Sequence, residues 1–592
     1  MEYSDNPRKI YGRVEIIYSD NEISRDIQPS SNGDALISHP NELYEATLVP
    51  TVKACTMEGN SIMDGSFQMM DDTVKCGWWS ASICNASGIF TTPIWVELSF
   101  IQRPIISWII IGDEKRAEYP VNFTIQFKRN GSVISTKTIV DNDKLMLRFQ
   151  VYETDITSVR LTITKWSRPN AHAKIIKFYD KLSELYEGDA VQMFELTEEM
   201  GNEEGNYNIS SDTLMVSLYN EGRKFDKGYL RSLMVLDRKL LPAIGVERNG
   251  TIEYTSLGVF YSDEWNISQD SQWVRCSAVD RLMRLQSRVY VGLPLTIDAS
   301  LYDIAEDILL HQDFRTTEYE ISEDLRNVII PKAYMPKESS WDALQEIANA
   351  GLCKIYVDRN DRIIIRSESE TDTVSQISIN KSNMFSFKSS VSLTEFANRI
   401  SVEYCDIELD DNLTEAVSVT LNIDANAVLE LTLDYTQDVA YATIESDNLN
   451  ISLTNFKSGV NACSVTATNT TGVVQTAKLS VAGYAIQVST KTLTVQDDDS
   501  VRDSGVTEYT HPASDLVQSH EHAEFIARTL LNKMQAGQGV VTTMWRGNPG
   551  LQLGDEYHAS DRFDEDNTLT CEFNKFTYNG SLRQETRGRK KF

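Results

Sequence analysis

Apolar and polar residues alternate along much of the segment between positions 214 and 285. Residues 214–220 and 273–280 largely alternate, which is the period of strands with one buried face. Asn249 and Gly250 lie between two extended segments and predict a two-residue hairpin turn. Residues 281–285 form a short apolar turn that could close the sheet edge as a helix. This part of the chain is therefore expected to form an antiparallel β-domain.

Length and charge limit the possible classes of protein. The 592 residues predict about four domains. The formal net charge of −30 disfavours binding to nucleic acid or to anionic membranes at long range. No run reaches the roughly 20 apolar residues of a membrane helix, so stable membrane insertion is not expected. The polar N-terminus lacks the apolar core of a secretory signal, and synthesis in a cytoplasm is expected.

The eight cysteines are spread over the chain without CxxC pairs. Free buried thiols are the expectation for a protein made in a cytoplasm. A disulfide between Cys76 and Cys84 is the alternative.

The region from position 11 to about 180 reads as β-structure throughout. Residues 94–100 and 121–127 alternate cleanly, and Asn130 with Gly131 predicts another hairpin. No helical period interrupts these strands, so a two-sheet sandwich is the natural packing. Residues 77–90, followed by 165–175, resemble the galactose-binding-like jelly roll of the discoidin type.

Trp78 and Trp79 are the candidate glycan-binding residues of this region. Adjacent residues of a strand point to opposite faces, so one of the two indoles is expected to lie outside or at a rim. The alternative is that both are core residues, because large aromatic side chains bury well in sandwiches. Fold alone does not imply sugar binding, since many such jelly rolls only contact proteins.

The middle of the chain changes to a mixed pattern. Residues 301–310 place apolar side chains at helical spacing, and Ser339 can cap a second helix that stops at Gly351. Residues 353–358 and 362–366 flank Arg359-Asn-Asp361, a predicted tight hairpin. Two helices with a hairpin indicate a small α+β module.

The last third contains an insertion. Residues 405–514 are rich in Thr, Val, Ser and Asn and predict an inserted β-sandwich. Residues 518–531 carry Ala523, Ile526, Ala527, Leu530 and Leu531 on one stripe of an amphipathic helix. Turn signals at Asn548-Pro549 and Gly554-Asp555 follow.

Several of these segments together resemble the phage tail hub family, the baseplate or tail-tip proteins that join a tail tube to its tip. The segments that resemble this family are the Ala-x-Asp strand end at Asp280, residues 339–366, the Asn-Arg-Ile-x-Val-x-Tyr strand of residues 398–404, and Gly-Asn-Pro-x-Leu-x-x-Gly-Asp at 547–555. The resemblance implies a mainly β, multidomain chain with a small α+β part. Its expected domains are a jelly-roll sandwich (1–182), a first tube-like β-barrel domain (183–290), an α+β module (291–370), a second tube-like β-barrel domain (371–405 with 515–592), and the inserted β-sandwich (406–514).

The resemblance also implies a function and partners. It predicts a non-enzymatic structural virion protein, a homotrimeric hub whose six tube-like domains match a hexameric tail tube. The implied partners are the tail tube protein, tail-tip, spike or fibre and baseplate proteins, and a tape measure protein in the channel. Contact of the jelly roll with a host cell-surface polysaccharide is a further hypothesis. The expected location is the virion, after synthesis in the host cytoplasm.

The sequence contains no recognisable catalytic constellation, and no cofactor is expected. It has no Gly-x-Ser-x-Gly, no phosphate-binding glycine-rich loop and no His-Glu-x-x-His. His520 and His522 suggest a metal site only if they lie on a strand, because positions two apart on a helix do not share a face; no metal is predicted. The alternative function is a cell-surface glycan-binding adhesin of serial β-sandwiches. A glycoside hydrolase would need an acid pair that no spacing singles out.

Overall fold

The structure is a computed structural model. It describes residues 9–18, 27–36, 38, 40–44, 53–54, 58, 67–68, 76–181, 183–201, 207–226, 235–248, 250–367, 374–390, 396–535, 539–563 and 565–590. The chain is mainly β with several sheets, as the sequence predicts. It divides into two compact units, an N-terminal unit of Glu15–Tyr186 and a main unit of Met1–Val14 with Glu187–Phe592. No helix among the described residues is long and apolar enough to cross a membrane.

The N-terminal unit consists mainly of strands. These strands, including the two that cross its boundaries, are β1 (Ile10–Ile17), β2 (Gln28–Ser31), β3 (Lys53–Ala54), β4 (Phe67–Gln68), β5 (Trp78–Ile83), β6 (Ile89–Ile111), β7 (Pro120–Arg129), β8 (Ser132–Ile139), β9 (Met146–Trp166), β10 (His172–Ile175), β11 (Lys177–Lys181) and β12 (Ser183–Glu187). A six-stranded sheet has the order β11-β6-β9-β7-β8 with β2 on β6, and β5 pairs with β10. One apolar core with Trp108 and Trp166 draws on both sheets. The predicted hairpin at Asn130-Gly131 joins β7 to β8, with Arg129 opposite Ser132.

The main unit begins with the strands of the first predicted tube-like domain. They are β13 (Val191–Glu199), β14 (Thr213–Tyr219), β15 (Lys239–Arg248), β16 (Thr251–Ser256), β17 (Phe260–Ile267) and β18 (Trp273–Val279). Arg248 pairs with Thr251, as a two-residue hairpin requires, although Asn249 lies outside the described residues. The predicted turn after Asp280 is a 3₁₀ helix, Met283–Ser287.

The α+β module follows. Its elements are β19 (Val289–Tyr290), β20 (Leu293–Ser300), α1 (Leu301–His311), β21 (Tyr319–Ile321), β22 (Ile329–Met335), β23 (Glu338–Ser339), α2 (Ser340–Gly351), β24 (Cys353–Val357) and β25 (Ile363–Ser367). Ser300 and Ser339 cap the two helices by accepting the N–H of Asp303 and Asp342. Helix α2 ends at Gly351 as predicted, but the residue in the left-handed conformation is Leu352, with φ of 45°.

The rest of the chain begins and ends with strands of one 14-stranded sheet, and a long segment that belongs to other sheets lies between them. Its elements are β26 (Val374–Ile379), β27 (Met384–Ser390), β28 (Arg399–Ile423), β29 (Val428–Asp434), β30 (Val439–Ser446), β31 (Ile451–Ser458), β32 (Ala462–Asn469), β33 (Gln475–Gln496), α3 (Asp498–Ser504), β34 (Glu508–Thr510), α4 (His520–Gln535), β35 (Val540–Trp545), β36 (Glu556–Ser560), β37 (Asp566–Tyr578) and β38 (Leu582–Lys590). The apolar stripe predicted for α4 is buried throughout.

One antiparallel path connects the two ends of the main unit. Within a 14-stranded sheet the path runs β15-β17-β18-β14-β13-β37-β38-β35-β27. The central pair is β13 with β37, where Phe194 lies opposite Tyr578. The described path has two ends, so the barrel expected for each tube-like domain is not closed within one chain. The physical reason is that the strands of the two predicted domains join edge to edge through β13 and β37 into one open sheet, instead of each set closing on itself.

Strand β28 pairs with β33 and β34, which are not strands of the large sheet. Its first residues, with α4, pack in the core of the α+β module, where Ile400 and Val402 meet Ile526. We therefore propose different boundaries from those expected. The second tube-like part comprises residues 374–390 and 539–590. The inserted sandwich comprises only residues 412–484, because residues 399–409 pair with residues 486–496 beneath it.

Candidate functional site

The two tryptophans proposed for glycan binding lie side by side on β5, and both are buried. Trp78 is 0% and Trp79 is 1% exposed. Trp78 belongs to the apolar core between the two sheets. The prediction that one of the two indoles faces solvent is therefore wrong.

A buried ion cluster covers the other face of β5. The Lys174 ammonium lies 4.9 Å from the centre of the Trp79 ring, and the Arg116 guanidinium lies 5.2 Å from it. Lys174 is fully buried and pairs with Glu118 at 2.6 Å and Glu58 at 3.0 Å. The two indoles therefore point to opposite faces of β5, as predicted, but both faces of this strand are covered. No local pattern near Trp79 indicates that charged residues from distant parts of the chain cover the second indole.

One face of the large sheet is polar. Arg583, Glu585, Arg587, Lys575 and Glu195 project from this face as half-exposed or exposed side chains, while the residues between them are buried. Lys575 pairs with Glu195 at 2.6 Å across the central β13–β37 junction. Such a sheet packs one face on a core and offers the other to water.

Asp280 explains why an Ala-x-Asp strand end precedes the helical turn. Its buried carboxylate accepts the N–H of Leu282 at 2.9 Å and of Asp212 at 2.8 Å, and the hydroxyl of Ser211 at 2.8 Å. Burial raises the pKa of Asp280 to about 6. Burial, followed by the neighbouring Asp280, raises the pKa of Asp212 well above its usual value. The motif thus ties the end of β18, the residues before β14 and the turn together through hydrogen bonds to one buried carboxylate.

Arg359, at the tip of the β24–β25 hairpin, joins the module to the large sheet. Its guanidinium donates to both carboxylate oxygens of Glu198 on β13, at 2.6 and 2.9 Å. It also donates to the carbonyl of Leu551 at 2.8 Å and to the carbonyl of Pro549. Burial opposes the charge, yet the pKa of Arg359 is raised because Glu198 lies against it. Arg359 therefore fixes the backbone of segment 547–555 through hydrogen bonds to two of its carbonyl groups.

We call the contact of Arg359 with Glu198 and segment 547–555 the joint. A cavity of about 270 Å³ lies beside this joint. Three arginines line it, Arg359, Arg362 and Arg366, together with acidic side chains that include Glu198 and Asp555. Its lining has four acidic side chains, Glu198, Glu320, Asp358 and Asp555, and most of these charges pair with the arginines, as Glu198 does with Arg359 and Asp358 with Arg362. No ligand class follows from it.

The two histidines considered for a metal lie on α4 and point to different neighbours. His522 contacts the carbonyl of Ala350 at 2.9 Å, whereas the His520 ring packs edge-on against Tyr404. Within the described part of the chain no group of three or more His, Cys, Asp or Glu is arranged to hold a metal ion. The seven described cysteines are free and buried, so Cys76 and Cys84 are not bridged.

The inserted sandwich is fixed to the α+β module by the loops at one of its ends. The Tyr334 hydroxyl donates to Asp438, and the Lys337 ammonium pairs with Asp434. The backbone N–H of Lys337 donates to the side chain of Asn461 at 2.6 Å. The loops 435–438 and 459–461 therefore form the base of the insertion.

No family model matches the sequence, and no curated protein matches it significantly. Among solved structures, the 43 kDa tail protein of prophage MuSo2 from Shewanella oneidensis is similar over 68% of this chain and 95% of its own, with 10% identity and a TM-score of 0.40. The tail protein from Neisseria meningitidis MC58 is similar over 68% and 93%, with 11% identity and a TM-score of 0.36. A chitosan-binding module from a chitosanase/glucanase of Paenibacillus sp. IK-5 is similar over 28% and 97%, with 12% identity and a TM-score of 0.18. Because these TM-scores are low, the function proposed below rests on the residues and contacts of this chain.

Proposed function

We propose that this chain is a non-enzymatic structural protein of a phage-type tail, a homotrimeric hub between a hexameric tail tube and the tail tip. The observation that carries the proposal is the continuous sheet in which residues 191–279 and 540–590 meet at the β13–β37 pair. Within the main unit the path gives one side of that junction five consecutive strands, β13-β14-β18-β17-β15, and the other side four, β37-β38-β35-β27. Two comparable halves per chain become six in a trimer, and six units can match a six-fold tube.

The polar face of the sheet supports a water-filled channel. In a ring of three chains this face would form a wall with charges of both signs, such as the Lys575–Glu195 pair. A wall of this kind suits the passage of a tape measure protein. The proposed partners are the tail tube protein on one side of the ring and tail-tip, spike, fibre or baseplate proteins on the other, within the virion.

The free end of the sheet supports contact between copies. Strand β27 is the last strand of the described path, and Phe385 on it is 58% exposed. An edge strand with an exposed aromatic residue invites pairing with another chain unless something covers it. In the proposed ring the next copy covers it.

Contact of the N-terminal unit with a host glycan stays a hypothesis without assigned residues. It depended on an exposed indole at Trp78 or Trp79, and both are buried. The adhesin alternative gains no specific support from the described residues.

Native mass spectrometry and negative-stain imaging of the full chain test the proposal. We expect a mass that is a multiple of three chains and rings with a central channel. Phe385→Asp should yield folded monomers, whereas Phe525→Asp on α4, where the side chain is 62% exposed, should leave the ring intact. A stable wild-type monomer, both in solution and with the tail tube protein present, would refute the trimer.

A further inference from the structure

The end of the inserted sandwich opposite its base presents aliphatic side chains to solvent. Three loops meet there, residues 424–427, 447–450 and 470–474, and we call this end the tip. Leu449 is 101% exposed, and Val428, Val473 and Val474, in or next to these loops, are 63%, 62% and 59% exposed. Single exposed aliphatic residues are ordinary on a protein surface. Four of them in or next to adjoining loops form an apolar surface that contributes little to the packing of the chain itself.

Hydrogen bonds hold the three loops together. The buried side-chain amide of Asn469 donates to the carbonyls of Ile423, Asp424 and Val473 at 3.0, 3.0 and 2.8 Å. The N–H of Thr470 donates to the carbonyl of Asn450 at 3.2 Å. The tip is therefore ordered in the unbound chain, and this order lowers the entropy cost of binding.

Leu449 is held in solvent by the residue before it. The Asn448 side chain donates to the carbonyl of Thr476 at 2.9 Å and accepts the N–H of Asn450 at 3.0 Å. The backbone on both sides of Leu449 is thus fixed while its side chain touches little of the protein. A side chain placed in this way is suited to enter an apolar medium.

The composition of the tip distinguishes among possible occupants. Its other side chains are mainly uncharged amides and hydroxyls, it contains no Lys or Arg, and its acidic residues are Asp424 and Asp447. An anionic ligand would therefore be repelled, also by the net charge of −30. A stable protein interface takes about 20–30 residues on each side, many more than the tip offers. Binding to a lipid surface requires no minimum number of contacting residues, because its strength increases with the apolar area that enters the lipid.

From these observations we infer that the tip docks shallowly and reversibly onto an electrically neutral, zwitterionic lipid surface. Leu449, Val473 and Val474 enter the boundary between headgroups and acyl chains. Asn448, Asn450 and Thr471 remain at the level of the headgroups. This inference does not depend on the trimer.

Co-flotation of the full chain with phosphatidylcholine vesicles tests the inference. We expect the wild-type chain to float with these vesicles and to float less when anionic phosphatidylglycerol is added. Leu449→Asp should lower the partition coefficient at least about tenfold, because it replaces a buried aliphatic group by a charge. The matched control is Leu36→Asp in the N-terminal unit, since Leu36 is 106% exposed and lies outside the tip.

Circular dichroism of both variants verifies that they are folded. A wild-type chain that stays out of the floating fraction at millimolar lipid would overturn the inference and would favour an apolar pocket on a protein as the occupant. Equal losses in Leu449→Asp and Leu36→Asp would also overturn it, because vesicle binding would then not be located at the tip. Vesicle binding lost only in Leu449→Asp would support it, whatever the oligomeric state.

Discussion

Replacing Arg359 by methionine should destabilise the main unit more than any other single change at the joint. The substitution keeps the length of the side chain but leaves the Glu198 carboxylate, 4% exposed, without its counter-charge. It also removes the donor to the carbonyls of Pro549 and Leu551. Breaking a buried pair by removing one partner costs about 3–5 kcal/mol. The adjacent cavity of about 270 Å³ can admit water to Glu198, so we expect the lower end, about 3 kcal/mol.

Two variants separate the lost pair from a general effect of removing an arginine. Arg362→Met removes a guanidinium three residues away, but its side chain is 37% exposed and its partners are Asp358 and Glu320. Exposed pairs contribute about 0–1 kcal/mol, and Arg362→Met should cost no more. The double variant Arg359→Met/Glu198→Leu removes both buried charges and should recover about 2 kcal/mol of the loss.

The assay is denaturant unfolding of the full chain combined with hydrogen exchange of peptides from β13 and from residues 547–555. Local exchange is needed because a chain of several domains does not unfold in one step. We expect faster exchange in both segments of Arg359→Met and little change in β7 or β9. If Arg359→Met and Arg362→Met have the same stability within about 1 kcal/mol, the buried joint does not hold the sheet to the module.

Three further predictions concern pH, the insertion and the tryptophans. Burial raises the pKa of Glu338 to about 8 and of Glu346 to about 7. Since free Glu titrates near pH 4.3, both take up protons on folding, and the free energy of unfolding should fall as pH rises from about 4.5 to about 8. Thermal melts should show that Glu346→Gln flattens this fall by on the order of 2 kcal/mol, and an unchanged slope would contradict the assignment. Replacing residues 412–484 by Asn-Gly should leave a folded chain by circular dichroism, because 399–409 keep their partners 486–496, whereas deletion of 406–513 should unfold the module; a folded product of the longer deletion would show that the pairing is dispensable. Trp78→Ala and Trp79→Ala should each lower the stability of the N-terminal unit by about 3–5 kcal/mol in melting experiments, and a neutral effect of either would mean that its indole is not a core residue.

The sequence predicted the elements whose signal is local. Helix α2 follows from Ser339 and the spacing of its apolar residues, and the β24–β25 hairpin follows from Arg359-Asn-Asp361. The alternation around residues 214 and 273 predicted β14 and β18, which pair with Leu214 opposite Ala278. Short-range periodicity is sufficient for such elements.

Contacts between distant positions could not be predicted in this way. Glu198 and Arg359 are 161 positions apart, and nothing near either residue indicates the other. The strand from Arg399 was expected in the second tube-like domain, but its pairing with β33 is set by a hairpin that closes only after the whole insertion. One of Trp78 and Trp79 was expected at a surface, but distant residues, Lys174 with Glu118, cover Trp79. Sequence periodicity assigns a residue to a face of a strand, but distant segments decide whether that face is covered.

The β13–β37 junction also sets when the chain can finish folding. Glu198 and Asn574, which meet at this junction, are 376 positions apart. At a synthesis rate of about 5–20 residues per second, roughly 20–75 s pass between the emergence of the two strands. During that interval the edge of β13 has no partner from its own chain, and it can pair with other nascent chains. A chain truncated before residue 566 lacks β37, so the edge of β13 stays open to pairing with other chains.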